Sequence, residues 1–145
     1  MEYKKFDRHY VVRLDVGDEV VKSITDLCNE ENITLGSISA IGACNYVKVG
    51  LYDTINKKYI STELTGLMEI TSLTGNISTK ENNTYLHIHI NVCNDKMEVF
   101  GGHLNECIVS ATCEIIITVI NGKVNRIMDE NIGINIFDFE KITEV

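Results

Sequence analysis

The sequence predicts an α+β fold: a mainly antiparallel β-sheet packed against one principal α-helix. Three observations carry this. One segment, residues 20–28, repeats its apolar side chains at three- and four-residue steps, the period of an amphipathic helix. Nearly everything after residue 35 is rich in Ile, Val, Thr and aromatics, cut into runs by short groups of Asn, Asp, Lys and Gly. No proline interrupts those runs, and their short connections suit antiparallel hairpins better than long crossovers.

Composition bounds the rest. With 145 residues, 44% hydrophobic and 23% charged, the chain reads as one globular domain spanning residues 1–145. A chain of this size buries on the order of 70% of its unfolded surface, so it needs no disulfide or structural metal to fold. The opening "MEYKKFDRHYVVRL" lacks the apolar run of a secretory signal, and no stretch of about 18 apolar residues offers a membrane span. A cytoplasmic protein without membrane contact is expected. Cys28, Cys44, Cys93, Cys107 and Cys113 are an odd set at irregular spacings without C-x-x-C, which fits reduced, mostly buried thiols. The net charge of −8 opposes a phosphate backbone, and Arg8, Arg13 and Arg126 are the only arginines. Direct nucleic-acid binding is therefore not expected.

The elements follow in order. "RHYVVRL" is a β-branched run, and the period changes at Gly17-Asp18. Val20, Val21, Ile24, Leu27 and Cys28 then share one helical face, with Gly17 or Asp18 placed to cap it and Asp18 and Glu19 suited to the positive end of its dipole. "ITLGSISAIGACNYVKVGLYD" is strand-like but broken at Gly42, where the small residues from Gly36 to Ala43 suggest close backbone packing or a bend. Further strands are predicted at 58–64, 68–77, 85–92, 96–100 and 108–120, separated by Lys80-Glu81-Asn82-Asn83 and Asn94-Asp95 among others. Asn121-Gly122 predicts a type I′ hairpin joining "IIITVI" to "KVNRI". The unbroken apolar run from Ile115 to Ile120 predicts a strand covered on both faces, by the helix and by something else, such as another subunit.

Three of the four histidines fall within "YLHIHINVCNDKMEVFGGHL". Side chains alternate along a strand, so Tyr85, His87, His89 and Asn91 share one face and Leu86, Ile88, Ile90 and Val92 the other, which goes to the core. If Asn94-Asp95 turns the chain, the returning strand brings Gly101 to His103 opposite His87, and a bulge at Gly101-Gly102 is available to re-aim the third ring. Three neutral imidazoles about 2.0–2.1 Å from one ion, with a fourth position open, is an arrangement used for zinc and other first-row metals. The alternative is a solvated polar strand face. His9 lies far off and reads as an ordinary strand histidine. No carboxylate is placed as in H-E-x-x-H; Glu106 reads as a loop carboxylate, and Glu114, between Cys113 and Ile115, as either a buried group wanting a partner or an exposed strand position. No G-x-S-x-G elbow, P-loop or dinucleotide fingerprint occurs.

The ordered blocks "VGDEVVKSITDLCNEENITLGSISAIGA", "GLMEITSLTGNIS" and "YLHIHINV…VFGGHL" resemble the plants-and-prokaryotes-conserved (PPC) domain over roughly residues 6–140. The resemblance implies a mainly antiparallel sheet packed on a helix, assembly into a homotrimer and, as in some prokaryotic members, a divalent metal held by the histidines of the H-x-H and G-G-H blocks. Those correspond to His87, His89 and His103, with zinc the expected ion. Plant members of the family carry an AT-hook that reads DNA, whereas this chain has neither proline nor Arg-Gly-Arg, so the family's DNA-binding label transfers weakly. Two functional readings follow. The first is a homotrimeric binding or regulatory module that holds a metal and takes a small-molecule ligand or protein partner. The second is a metal-dependent hydrolase or lyase acting on a small molecule, its catalytic residues unassigned beyond Glu114 or a neighbouring subunit's carboxylate as a base.

Overall fold

The computed structural model describes residues 1–143, with side chains to residue 139. The chain runs β1 (Glu2–Phe6), β2 (His9–Leu14), α1 (Val20–Glu30), β3 (Gly36–Asp53), β4 (Lys58–Lys80), β5 (Asn83–Asn94), β6 (Val99–Val119), β7 (Lys123–Asp129) and β8 (Ile134–Thr143). The sheet order is β1-β2-β6-β3-β4-β7-β8, and β5 bridges β4 and β6. Strands β3, β4, β5 and β6 thereby close a ring, each hydrogen-bonded to two of the others. Pairing is antiparallel except for a short parallel contact of β4 with β7. No helix among the described residues is long and apolar enough to cross a membrane.

Several expected strands are pieces of longer ones. Residues 58–64 and 68–77 lie in the single 23-residue β4, and the strands expected at 96–100 and 108–120 merge into the 21-residue β6 (Val99–Val119), with 96–98 in the turn before it and 120 beyond its end. Such lengths bend instead of breaking. The β3 ladders shift register at Ala40/Gly42 and Cys44/Tyr46, so Gly42 marks a bend within a continuous strand and not its end.

Helix α1 buries Val20, Ile24, Leu27 and Cys28, with Val21 half-buried against the same core. Its N-cap is Glu19, not Gly17 or Asp18: the Glu19 carboxylate accepts the Val21 and Lys22 backbone N–H groups. Glu19 Oε1 also accepts the Cys107 N–H at 3.0 Å, which ties the helix start to β6. Asp18 is occupied elsewhere, accepting the Asp15 N–H at 2.9 Å and pairing with the amino terminus at 3.0 Å. At the other end Glu31 accepts the hydroxyls of Tyr3 and Tyr10, which pins the β1-β2 hairpin to the helix and holds that carboxyl below its usual range.

The Asn121-Gly122 hairpin does not form. Strand β7 pairs with β4 and β8, so the chain after β6 crosses to another edge of the sheet. The type I′ signature instead sits at Glu81 (φ 52°) and Asn82 (φ 65°), joining Lys80 of β4 to Asn83 of β5.

Tyr10, Leu14, Ile38, Ile70, Leu73, Ile77, Ile88, Ile90, Ile115 and Ile117 supply the bulk of the core, each large aliphatic side chain contributing about 1.5–3 kcal/mol of burial. The run from Ile115 is covered on one face only within the chain. Ile115 and Ile117 are fully buried, but Ile116 is 42% exposed and looks into an open groove of about 770 Å³ with Phe6, Val11 and Ile41. All five cysteines are free, four of them buried.

Candidate metal centre

The alternation read from the sequence holds on β5: Ile88, Ile90 and Val92 are buried, His87 is half-buried, and His89 and Asn91 are exposed on the opposite face. A tight β5-β6 connection brings the third ring. Asn94 Oδ1 accepts the Lys96 and Glu98 N–H groups, and Met97 takes a positive φ of 62° to complete the reversal. The returning ladder pairs His89 with His103, Ile90 with Gly102 and Asn91 with Gly101 without a register shift. His103 therefore stands opposite His89, not His87, and the anticipated bulge is absent. The two glycines permit close approach instead. A Cβ at Gly101 would strike the Ile90 carbonyl and the Asn91 amide, and one at Gly102 would lie 2.7 Å from the Gly50 carbonyl.

The three rings converge on one point. Their centroids are 5.2 Å (His87 to His89), 5.3 Å (His87 to His103) and 5.5 Å (His89 to His103) apart. One ring nitrogen from each lies within 4.8 Å of the others, and the Nε2 atoms of His87 and His89 are 3.3 Å apart. Tetrahedral coordination at 2.0–2.1 Å places neighbouring donors about 3.3 Å apart, so this pair already has the required spacing. Burial pushes the His87 and His103 imidazoles below their ordinary pKa, and the nearby Arg126 charge and the other rings add to the effect. The shift favours the neutral imidazole, the form that binds a cation. The ring of Tyr59 stands edge-on to His103 at 6.2 Å, and its hydroxyl donates to Asn105 Oδ1 at 2.6 Å.

The other candidates lie elsewhere. His9 is half-buried in β2 opposite Thr118, and Glu106 pairs across the ladder with Lys48. Glu114 is exposed, not buried, and lines the apolar groove; the cavity of about 360 Å³ beside the rings is lined by Thr74, Gly75, Asn76, His87 and His89. A chemically important neighbour escaped the sequence reading. Arg126, only 8% exposed, donates from Nε to Ser78 Oγ (2.9 Å), from Nη2 to Asn76 Oδ1 (2.8 Å) and from Nη1 to the Asn135 carbonyl (3.1 Å). Its guanidinium also lies over the rings of Tyr85 (4.8 Å) and Phe137 (4.3 Å). Tyr85 on the histidine face was the available hint, but nothing local shows that β7 comes alongside β4.

Fold and site define a β-rich domain with one helix and a three-histidine cluster on a sheet face. The chain belongs to the Plants and Prokaryotes Conserved (PCC) domain family, whose profile matches residues 1–121. A candidate DNA-binding protein from Bacteroides thetaiotaomicron is 33% identical, with a TM-score of 0.94 over 97% of this chain and 98% of that one. A metal-containing protein from Archaeoglobus fulgidus is 35% identical over 94% of both chains, with a TM-score of 0.84. A plant- and prokaryote-conserved (PPC) protein from Pyrococcus horikoshii is 28% identical, with a TM-score of 0.80 over 92% of this chain and 94% of that one. No curated protein matches the chain.

Proposed function

We propose that this protein is a cytoplasmic, homotrimeric binding module that holds one divalent metal ion, zinc, on His87, His89 and His103. The single observation carrying the metal is the 3.3 Å spacing of two imidazole nitrogens with a third donor inside 4.8 Å. The metal-containing relative from Archaeoglobus fulgidus adds support. An ion on three protein nitrogens keeps a fourth position for a ligand oxygen, which it would polarise as a Lewis acid. The module reading is favoured over an enzyme because, among the described residues, the cavity walls are Thr74, Gly75, Asn76, His87 and His89, with no carboxylate to serve as a proton-transfer partner.

A second copy of the chain is the proposed occupant of the apolar groove. Phe6, Val11, Ile41 and Ile116 are 42–59% exposed there, an apolar patch of the kind that symmetric assembly covers. Thr74 lines both the groove and the histidine cavity, so a bound neighbour would abut the site. Direct DNA contact is not carried over from the relatives, since the net charge of these 145 residues is −8 and they contain no Arg-Gly-Arg.

Elemental analysis of untagged protein tests the metal: about one zinc per chain is expected, lost in both His89→Ala and His103→Ala. A metal-free native protein that also fails to take up added zinc overturns the reading. Light scattering tests the assembly, and a monomer at micromolar concentration rejects it. Titration with duplex DNA at two salt concentrations is expected to show no binding at the lower one.

A further inference from the structure

Two of the three candidate donors share β5, whereas His103 comes alone from β6. A strand fixes where an imidazole starts, but its side-chain torsions still decide where the nitrogens point. A metal-binding histidine is ordinarily held in orientation by a neighbouring group. The His103 ring meets the rings of His87, His89 and Tyr59. Of these three, Tyr59 alone is not itself a candidate ligand.

Three separate contacts seat Tyr59 there. Its ring stands edge-on to His103, at 88° with the centroids 6.2 Å apart. Its hydroxyl donates to Asn105 Oδ1 at 2.6 Å, and Asn105 follows His103 by two positions on β6, on the same face. The ring also fills the space over Gly50. A Cβ at Gly50 would strike the Tyr59 hydroxyl oxygen and Cζ and lie 2.7 Å from its Cε1, and the three nearest atoms all belong to that one side chain. Gly50 is the direct cross-strand partner of His103, so a side chain at 50 would project beside the imidazole. Tyr59 itself pairs with Tyr52 while Gly50 pairs with Ser61, which makes Tyr59 the diagonal neighbour of Gly50, within reach of an aromatic ring. The bare backbone at Gly50 is the slot through which Tyr59 reaches His103.

We infer that Tyr59 is a positioning residue of the candidate metal centre: its ring, seated over Gly50 and tied to Asn105, braces the His103 imidazole so that its donor nitrogen faces those of His87 and His89. The inference rests on the three-histidine metal reading and adds a residue of β4 to a site otherwise built on β5 and β6. Tyr59 is 42% exposed, so it adds little to the core, and its effect falls on the ring beside it.

Zinc affinity, measured by competition with a chromophoric chelator, tests this in wild type, Tyr59→Phe, Tyr59→Ala, Gly50→Ala and the double variant Gly50→Ala with Tyr59→Ala. Circular dichroism confirms the folded state of each. Tyr59→Ala is expected to lose about tenfold or more, the range for removing a group that orients a metal ligand. Tyr59→Phe, which keeps the ring, retains most of the affinity. Gly50→Ala should fall about as far as Tyr59→Ala, because its methyl displaces the ring, and should cost nothing further once residue 59 is already shortened. Undiminished affinity in Tyr59→Ala overturns the inference, as does a Tyr59→Phe loss equal to that of Tyr59→Ala, or a Gly50→Ala loss that persists in the double variant. Should Tyr59→Ala fail to fold, Gly50→Ala decides, with undiminished affinity overturning the inference. Failure of wild type to take up zinc removes the metal reading and this inference with it; zinc uptake indifferent to Tyr59→Ala removes the inference alone.

Discussion

His89 and His103 are direct cross-strand partners on β5 and β6, their ring centroids 5.5 Å apart. Two donors of the candidate centre are thus fixed by one backbone ladder. The third, His87, is fixed by the two-residue repeat of the same strand. The short turn at Asn94 sets the offset of that ladder, so the donors are organised before any ion arrives.

That organisation sets a pH dependence. His87 and His103 are pushed below the ordinary imidazole value of 6.5, first by burial. A group whose pKa is depressed on folding contributes its stability above the unfolded value and loses it as pH falls through the folded one. In the metal-free protein these two groups therefore contribute their stability in full above about pH 6.5, and that contribution is lost progressively below it. Histidine proton resonances followed against pH check this directly: two imidazoles should titrate below 6.5, and a set all titrating at or above it would contradict the geometry.

Ile116 alternates with the buried Ile115 and Ile117 and looks into the groove assigned to a second copy. Ile116→Glu should leave the fold intact, because a 42% exposed position tolerates a charge within about 0.5 kcal/mol of monomer stability. Light scattering should show the proposed trimer reduced to monomer. An Ile116→Glu protein of unchanged mass would place the subunit contact elsewhere.

The parts of this molecule that were legible in the sequence are those set by local period. The amphipathic face of α1 and the in-out alternation of Tyr85 to Val92 are written in consecutive residues, and both stand in the structure. Register and long-range neighbours are not so written. His103 pairs with His89 because the Asn94 turn fixes the offset, a two-residue difference that no local pattern reveals. The cap went to Glu19 since its longer side chain reaches the helix N–H groups and also the Cys107 amide on β6. Arg126 was invisible as a site neighbour because its partners Asn76, Ser78 and Tyr85 lie 41 to 50 positions away in the chain. Glu114 had two possible settings, and only the packing of β2 and β3 against β6 decides that it is exposed.

Gly42 lies at the bend of β3 where the ladder with β6 shifts register. A Cβ there would strike the Thr112 carbonyl and stand 2.7 Å from Cys113 Cα, both backbone atoms that cannot rotate away. Gly42→Ala should therefore cost about 1–3 kcal/mol, the range for forcing extra volume into a packed interior. Urea denaturation checks it through a lower midpoint at unchanged slope. An unaltered midpoint would mean that the strands separate at this bend more readily than the closed ring suggests.

The β4-β5 turn offers the opposite sign. Glu81 and Asn82 both hold positive φ, at 52° and 65°, and Glu81 pays a steric penalty there that Asn or Gly largely avoids. Replacing the pair by Asn-Gly, through Glu81→Asn with Asn82→Gly, supplies the preferred type I′ residues without altering any core contact, since both positions are exposed. The double variant should gain about 0.5–1 kcal/mol, read as a raised melting temperature with metal-free protein. A double variant less stable than the parent would place the turn in a different backbone geometry and shift the register that delivers His87 and His89 to their shared face.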